Sequence, residues 1–329
     1  MKAVLAVLAT LALAGCATTD SGSGGATSGG IVKITPLGSH DGEFCPLDRA
    51  LVFEDPDGTR ILYDAGRTVR GPNDPRLGKI DAILLSHVHG DHLGDLIQPS
   101  ANAGTCAKPD FSVNVTPNSN MVNISLGKQA MMIVGGEMGS FLSAKVQSLG
   151  GDPGKLVRLV RFGAQTMVGG VMVAGVPAVH SNGLPPAFLP KEQAQALAAA
   201  GLTAYVGEPG GFVLRFSNGL TVYLSGDTGI TAEQDLVVRG HYRANLAVMN
   251  IGGFPFTTGP IESTYVVNEL VRPNAVIASH ANEPATVGGK VAPNTKTAAF
   301  ISAAKMPVHV PLSGKTMQFD GNGRCVSGC

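Results

Sequence analysis

The chain has 329 residues, 44% of them apolar, which is enough to bury a sizeable core in one large domain. Lysine plus arginine balance aspartate plus glutamate at 24 each, so no global positive field exists to hold a phosphate backbone, and the composition argues against nucleic acid as a partner. Forty-four glycines and the absence of tryptophan favour turns, strands and short helices over a helix bundle.

Met1-Lys2 followed by the apolar run Ala3 to Ala14 has the pattern of an export signal, and the run is too short to span a bilayer permanently. It ends in Leu13-Ala14-Gly15-Cys16, which resembles the bacterial lipobox. That resemblance implies a signal over 1–16, lipidation of Cys16, and a lipoprotein on the periplasmic face of a bacterial membrane, touching it by the lipid anchor only. An ordinary signal peptide would export the chain as well. Ala17 to Gly30 lacks apolar bulk and reads as a Gly/Ser-rich tether, so the folded domain is expected over 31–329. Without Cys16, four cysteines remain in an oxidising compartment: Cys45, Cys106, Cys325 and Cys329. Three pairings are open, and proximity alone singles out Cys45 with Cys106 and Cys325 with Cys329. A thiolate metal site is the weaker reading because no Cys-x-x-Cys spacing occurs.

Strands are predicted where β-branched runs are bounded by glycine, proline or asparagine: Ile31 to Thr35, Ala50 to Phe53, Arg60 to Tyr63 and Ile80 to Leu85. A later set comprises Val171 to Val176, Phe212 to Phe216, Leu220 to Leu224, Leu246 to Met249, Ala275 to Ala278 and Val308 to Val310. Ser217-Asn218-Gly219 supplies hairpin chemistry between two of them. Helices are predicted over Glu137 to Leu149, Lys191 to Ala200, Thr231 to Arg239 and Glu262 to Val271. The segment Gly104 to Gly136 shows no clear periodicity. No linker, charge run or repeat divides the rest, so the chain reads as one α/β domain with helices outside its sheets.

The buried-strand run Ile80 to Ser86 leads straight into His87-Val88-His89-Gly90-Asp91-His92. A lone histidine is most often a satisfied structural residue. Three histidines and an aspartate within six positions are different, because burying so many titratable groups together is costly unless a cation compensates. Residues two apart cannot share a helix face, so the spacing calls for a loop folded around a metal and supported by the strand before it.

This His-x-His-x-Asp-His pattern resembles the signature of the metallo-β-lactamase superfamily. Later segments are similar to the family's remaining motifs in order: Val173 to His180, Val222 to Thr228 with Asp227, and Ala275 to His280. Five of the eight histidines are used in this match. The resemblance implies an αββα sandwich with the site at one edge of its two sheets. It implies that His87, His89 and His180 bind one metal, that Asp91, His92 and His280 bind a second, and that Asp227 bridges them. Asp64 in Leu62-Tyr63-Asp64-Ala65-Gly66 matches a family aspartate that supports the ligand loop. Nitrogen and carboxylate donors suit two zinc ions, and manganese, iron or cobalt are accepted by the same set. Two such cations share a hydroxide nucleophile, with Asp91 and Asp227 as the catalytic carboxylates and Asp91 also a proton acceptor.

The bridging aspartate is usual in lactonases, thioesterases and phosphodiesterases of the superfamily and usually missing from true β-lactamases. Flavodiiron relatives typically carry glutamate where His89 stands. The loop Asn250 to Pro260 resembles that of the ascorbate-6-phosphate-lactonase-like branch, although an exported protein would not meet a cytoplasmic sugar phosphate. The expected function is hydrolysis of a small ester, lactone, phosphodiester or lipid-like electrophile in the cell envelope. A β-lactamase and a non-catalytic metal-binding lipoprotein are the alternatives. Substrate contacts are expected from His40, Asn182, Phe254 and Phe256, while His241 and His309 read as structural.

Overall fold

A strand that is apolar on both faces has to lie between two layers, and most strand segments of this chain are of that kind. In the computed structural model, which describes residues 29–329, they form two face-to-face sheets. The Cys16 lipidation site and the signal lie outside the described residues. Strands β1 (Val32–Pro36), β2 (Leu51–Glu54), β3 (Arg60–Tyr63), β4 (Ala82–Leu84), β5 (Met131–Val134) and β6 (Val157–Leu159) belong to the first sheet. The second holds β7 (Gln165–Val168), β8 (Val171–Pro177), β9 (Gly210–Arg215), β10 (Thr221–Leu224), β11 (Leu246–Asn250), β12 (Ala275–Ser279) and β13 (Val308–His309) in sequence order. The C-terminal β14 (Met317–Phe319) and β15 (Cys325–Ser327) return to the first sheet, whose order is β6-β5-β4-β3-β2-β1-β14-β15.

Three apolar layers follow from this arrangement. Phe53, Ile61 and Leu84 of the first sheet meet Val173, Leu214, Val222 and Ile277 of the second in a core between the sheets. On the outer face of the first sheet, Leu62, Ile83 and Met132 are covered by Met121, Ile124, Leu142 and Val146 from the helices Asn120–Lys128 and Met138–Ser148. On the outer face of the second, Tyr223, Met249 and Val276 are covered by Val238, Val267 and Phe300. These come from the π-helical segments Gln234–Tyr242 and Val266–Val271 and the helix Lys296–Ala303. The stack is the expected αββα sandwich. No helix among the described residues is long and apolar enough to cross a membrane.

Direction matters more for the site than layer count. Strands β3, β4, β5 and β6 run parallel to one another. In the second sheet β10, β11 and β12 are parallel, and β8 shares their direction because it is antiparallel to β9, itself antiparallel to β10. The carboxyl ends of β3, β4, β8, β10 and β12 are each followed within three residues by one of the singled-out segments, at Asp64, His87, His180, Asp227 and His280. A rigid strand end fixes where the next side chain points.

The predicted strands and the four predicted helices are all present, with ends displaced by a few residues. The Asn120–Lys128 helix and β5 correct the reading of Gly104 to Gly136 as aperiodic. Cys45 is bonded to Cys106 and Cys325 to Cys329, the pairing that proximity singled out.

Candidate metal centre

The stretch after β4 is less of a loop than the spacing implied, because Gly90–Leu93 forms one helical turn that carries Asp91 and His92, while His87 and His89 lie before it. His87 Nε2 and His180 Nε2 lie 3.0 and 3.2 Å from His89 Nδ1. His92 Nε2 and His280 Nε2 each lie 3.6 Å from Asp91 Oδ2. Asp227 stands between the two clusters: Oδ2 is 3.9 Å from His87 Nε2, 3.8 Å from His180 Nε2 and 2.8 Å from His280 Nε2, and Oδ1 is 3.4 Å from His92 Nε2. The seven residues thus form two groups of three donors with a carboxylate between them.

Their surroundings fix which ring nitrogen faces inward. Asp64 accepts from the Ser86 backbone N–H at 2.9 Å and the Ser86 hydroxyl at 2.7 Å, and its Oδ2 is 2.7 Å from His92 Nδ1. Asp64 keeps a proton on Nδ1, so Nε2 is the nitrogen that faces inward and the one laid bare when the His92 ring gives up its second proton. Ser86 Oγ lies 3.0 Å from His87 Nδ1 and fixes that ring in the same sense. Asp64 and His280 both adopt left-handed backbone, φ 42° and 52°, a strained choice for non-glycine residues that recurs at functional sites. Gly252 is needed for a different reason: a Cβ there would collide with the carbonyl oxygen of His280.

Burial disfavours charge on His87, His180, His92, Asp91 and Asp227, yet they respond differently. His180 is pushed down to about 4 by burial and by the charges of His89, His92 and His280, and His87 is driven well below the histidine range by burial and its neighbouring histidines. His92 goes the other way: burial is outweighed by Asp227, Asp91 and Asp64, which lift it to about 10. For Asp227, burial is overcome by the charges of His280 and His92, and for Asp91 by His92, His280 and Arg49, so both carboxylates sit well below their usual range. The first trio therefore stands neutral and ready as ligands, whereas the second holds a proton on His92.

The donor set fits a pair of metal ions. His92 Nε2 and Asp227 Oδ1 are fully buried with no hydrogen-bond partner and point into the cluster, a costly arrangement that a cation would relieve.

Several site residues were not foreseen. Arg49, 2% exposed at its side chain, donates from Nε and Nη2 to Asp91 Oδ2 at 3.2 and 3.0 Å and from Nη2 to Asn282 Oδ1 at 2.6 Å. Arg67 grips Asp95 through Nε and Nη2, at 2.6 and 2.8 Å, and lines the cavity of about 570 Å³ that opens over the ligands. Asn282, two residues past His280, lines it too, and only that short spacing hinted at it. Two expected substrate contacts need correction. Asn182 is fully buried: its Oδ1 accepts from the Val88 N–H at 2.9 Å and its Nδ2 donates to the Gly207 carbonyl at 2.9 Å, so it braces the ligand loop from behind. His40 is not among the residues lining the cavity; its Nδ1 lies 3.2 Å from Ser39 Oγ. Phe256 does line the cavity, and Phe254 lines a neighbouring one.

A profile of the beta-lactamase superfamily domain matches residues 59–280, a span that begins at β3 and closes on His280. The chain belongs to this superfamily. Among its curated members, a UPF0173 metal-dependent hydrolase of Cupriavidus necator is 29% identical over 272 residues, covering 80% of this chain and 81% of that one. A second, from Thermodesulfovibrio yellowstonii, is 28% identical over 233 residues, 69% of this chain and 73% of the other. A solved metallo hydrolase from the archaeon Ignicoccus hospitalis superposes with a TM-score of 0.57 at 21% identity, covering 88% of this chain and 99% of its own, and shares the fold. The superfamily member described here is thus a metal-dependent hydrolase in class.

Proposed function

We propose that the protein is a dinuclear zinc hydrolase acting on a small ester, lactone, phosphodiester or related electrophile in the cell envelope. The observation that carries this reading is the sorting of seven donors into His87, His89 and His180, then Asp91, His92 and His280, with Asp227 reaching both groups. Two bound cations would supply Lewis acidity and bring the pKa of water to about 7. The chain's own residues do the rest. Asp64 and Ser86 hold the rings of His92 and His87 in their ligating tautomers, and Arg49 fixes the rotamer of Asp91 by gripping Oδ2. Asp91, ionised and facing the cavity, is the carboxylate placed to accept a proton from the reacting group. Asn282 and Arg67 offer hydrogen-bond donors at the cavity wall. The resemblance of the loop Asn250 to Pro260 supports the lactonase-like branch, and the position of Asp227 between the two groups weighs against a β-lactamase.

Turnover of generic ester, lactone and phosphodiester substrates by the wild type, abolished in Asp91→Ala with the fold retained, is the expected result. A wild type that binds metal but turns over none of them would favour the non-catalytic alternative, and rapid opening of a chromogenic cephalosporin would restore the β-lactamase. The Leu13 to Cys16 motif supports a lipoprotein anchored at the periplasmic face. Cys16→Ala is expected to shift the protein from the membrane fraction to the soluble one.

A further inference from the structure

The cavity over the ligands does not end at its own rim. Pro255 and Phe256 form a wall that it shares with a second cavity of about 500 Å³, reached past Val179, the residue immediately before His180. Of the residues lining this second space Glu262 alone is ionisable, and one of its carboxylate oxygens accepts the Gly259 backbone N–H at 3.1 Å. What remains is apolar surface held open to solvent: Phe254 is 95% exposed, Phe256 62%, Val179 61% and Ile230 47%.

The loop that carries both phenylalanines is closed by its own main chain. Gly253 N donates to the Thr258 carbonyl at 3.1 Å, and Phe256 N and Thr257 N donate to the Gly253 carbonyl at 3.1 and 3.2 Å, closing the loop on itself. Thr258 Oγ1 accepts from Asn250 Nδ2 at 3.0 Å, which ties the loop to the end of β11. Two aromatic rings left in water beside a reaction site carry a standing cost that an apolar occupant would remove.

We propose that the trough walled by Val179, Ile230, Phe254 and Phe256 takes the uncharged alkyl or aryl arm of the substrate, whose reacting group sits in the adjoining cavity over the seven ligands. The enzyme's substrates are then amphiphilic, with a polar reactive head and an apolar arm of several carbons. This inference rests on the metal-centre reading. It commits to a substrate arm as the occupant because the trough adjoins the reaction cavity across Pro255 and Phe256 and, Glu262 apart, is lined by uncharged side chains.

A series of straight-chain hydroxamic acids from acetyl to decanoyl tests it, since the head chelates a metal and only the tail varies. Dissociation constants for the zinc-loaded protein are measured by calorimetry, for the wild type and for the double variant Phe254→Ser/Phe256→Ser at equal metal content. Affinity is expected to rise about twofold to fourfold per methylene in the wild type, the larger figure being full burial of each group, and to rise far less steeply in the variant. A series without chain-length dependence in the wild type, or an equal slope in both proteins, would overturn the proposal and hand the exposed rings to a lipid surface instead. Failure of even acetohydroxamic acid to bind would strike at the metal centre itself, and at this inference through it, so the two readings fail in distinguishable ways.

Discussion

Asp64→Asn changes one heavy atom and should disable one half of the proposed dinuclear centre. In the native protein Asp64 Oδ1 takes the Ser86 N–H, and Oδ2 takes both the Ser86 hydroxyl and His92 Nδ1. The buried Ser86 N–H has to keep an acceptor, so the amide oxygen of the asparagine stays on it and the NH₂ faces His92. An NH₂ group donates; His92 Nδ1 must then be the acceptor, and the ring proton moves to Nε2, the nitrogen aimed at Asp227 and Asp91. A protonated Nε2 cannot ligate. Loss of such an outer partner typically lowers metal affinity 10-fold to 100-fold, or about 1.4 to 2.7 kcal/mol. Zinc titration against a chromogenic chelator should therefore show the second equivalent weakened by that factor, with the equivalent held by His87, His89 and His180 little changed. Equal weakening of both equivalents, or an unchanged second one, would refute the tautomer argument.

Arg49→Met strips two donors from the half-buried Asp91 Oδ2; the metal-free protein should lose about 1.5 to 3 kcal/mol in urea unfolding, and zinc should restore part of it, because a cation replaces the missing charge. Cys106→Ser opens the Cys45–Cys106 bridge, whose partners are 61 residues apart, and should cost about 4 kcal/mol on the chain-entropy account, read as a lower thermal midpoint. Zinc binding should depend on pH in two ways at once. Between pH 6 and 9 the first trio, with His180 at about 4 and His87 and His89 also held below the histidine range by burial, has no proton to release. His92, at about 10, must lose one for the second ion to bind, so the second equivalent should tighten about tenfold per pH unit across this range while the first stays level. Proton release measured in buffers of different ionisation enthalpy checks this, and a flat second equivalent would contradict the assignment of His92.

The candidate ligands stand out in the sequence because the strands before them have apolar runs that are themselves a strong signal: His87 follows Ile83-Leu84-Leu85 and His280 follows Val276-Ile277-Ala278. Asp64 was legible for the same reason, at the end of Ile61-Leu62-Tyr63. Arg49 was not, since nothing in Cys45-Pro46-Leu47-Asp48-Arg49 has a local period that points at Asp91, 42 residues away. Asn182 misled because nearness to His180 in sequence says nothing of which way a side chain turns, and its amide turns into the protein to satisfy Val88 and Gly207. The Asn120–Lys128 helix was hidden by Asn120, Asn123 and Gly127, poor helix formers whose cost is offset by the Ser119 cap and the burial of Met121, Val122 and Ile124. Phe254 and Phe256 are expected at the substrate, but only the structure shows how far both rings stand out in solvent.

Metal content per chain, by elemental analysis of the wild type and of His92→Ala after incubation with excess zinc and removal of the free ion, addresses the central claim most directly. The account predicts about two zinc ions in the wild type, falling towards one in the variant as the Asp91, His92 and His280 group loses its central donor. One ion or none in the wild type, or no difference between the two proteins, would contradict it.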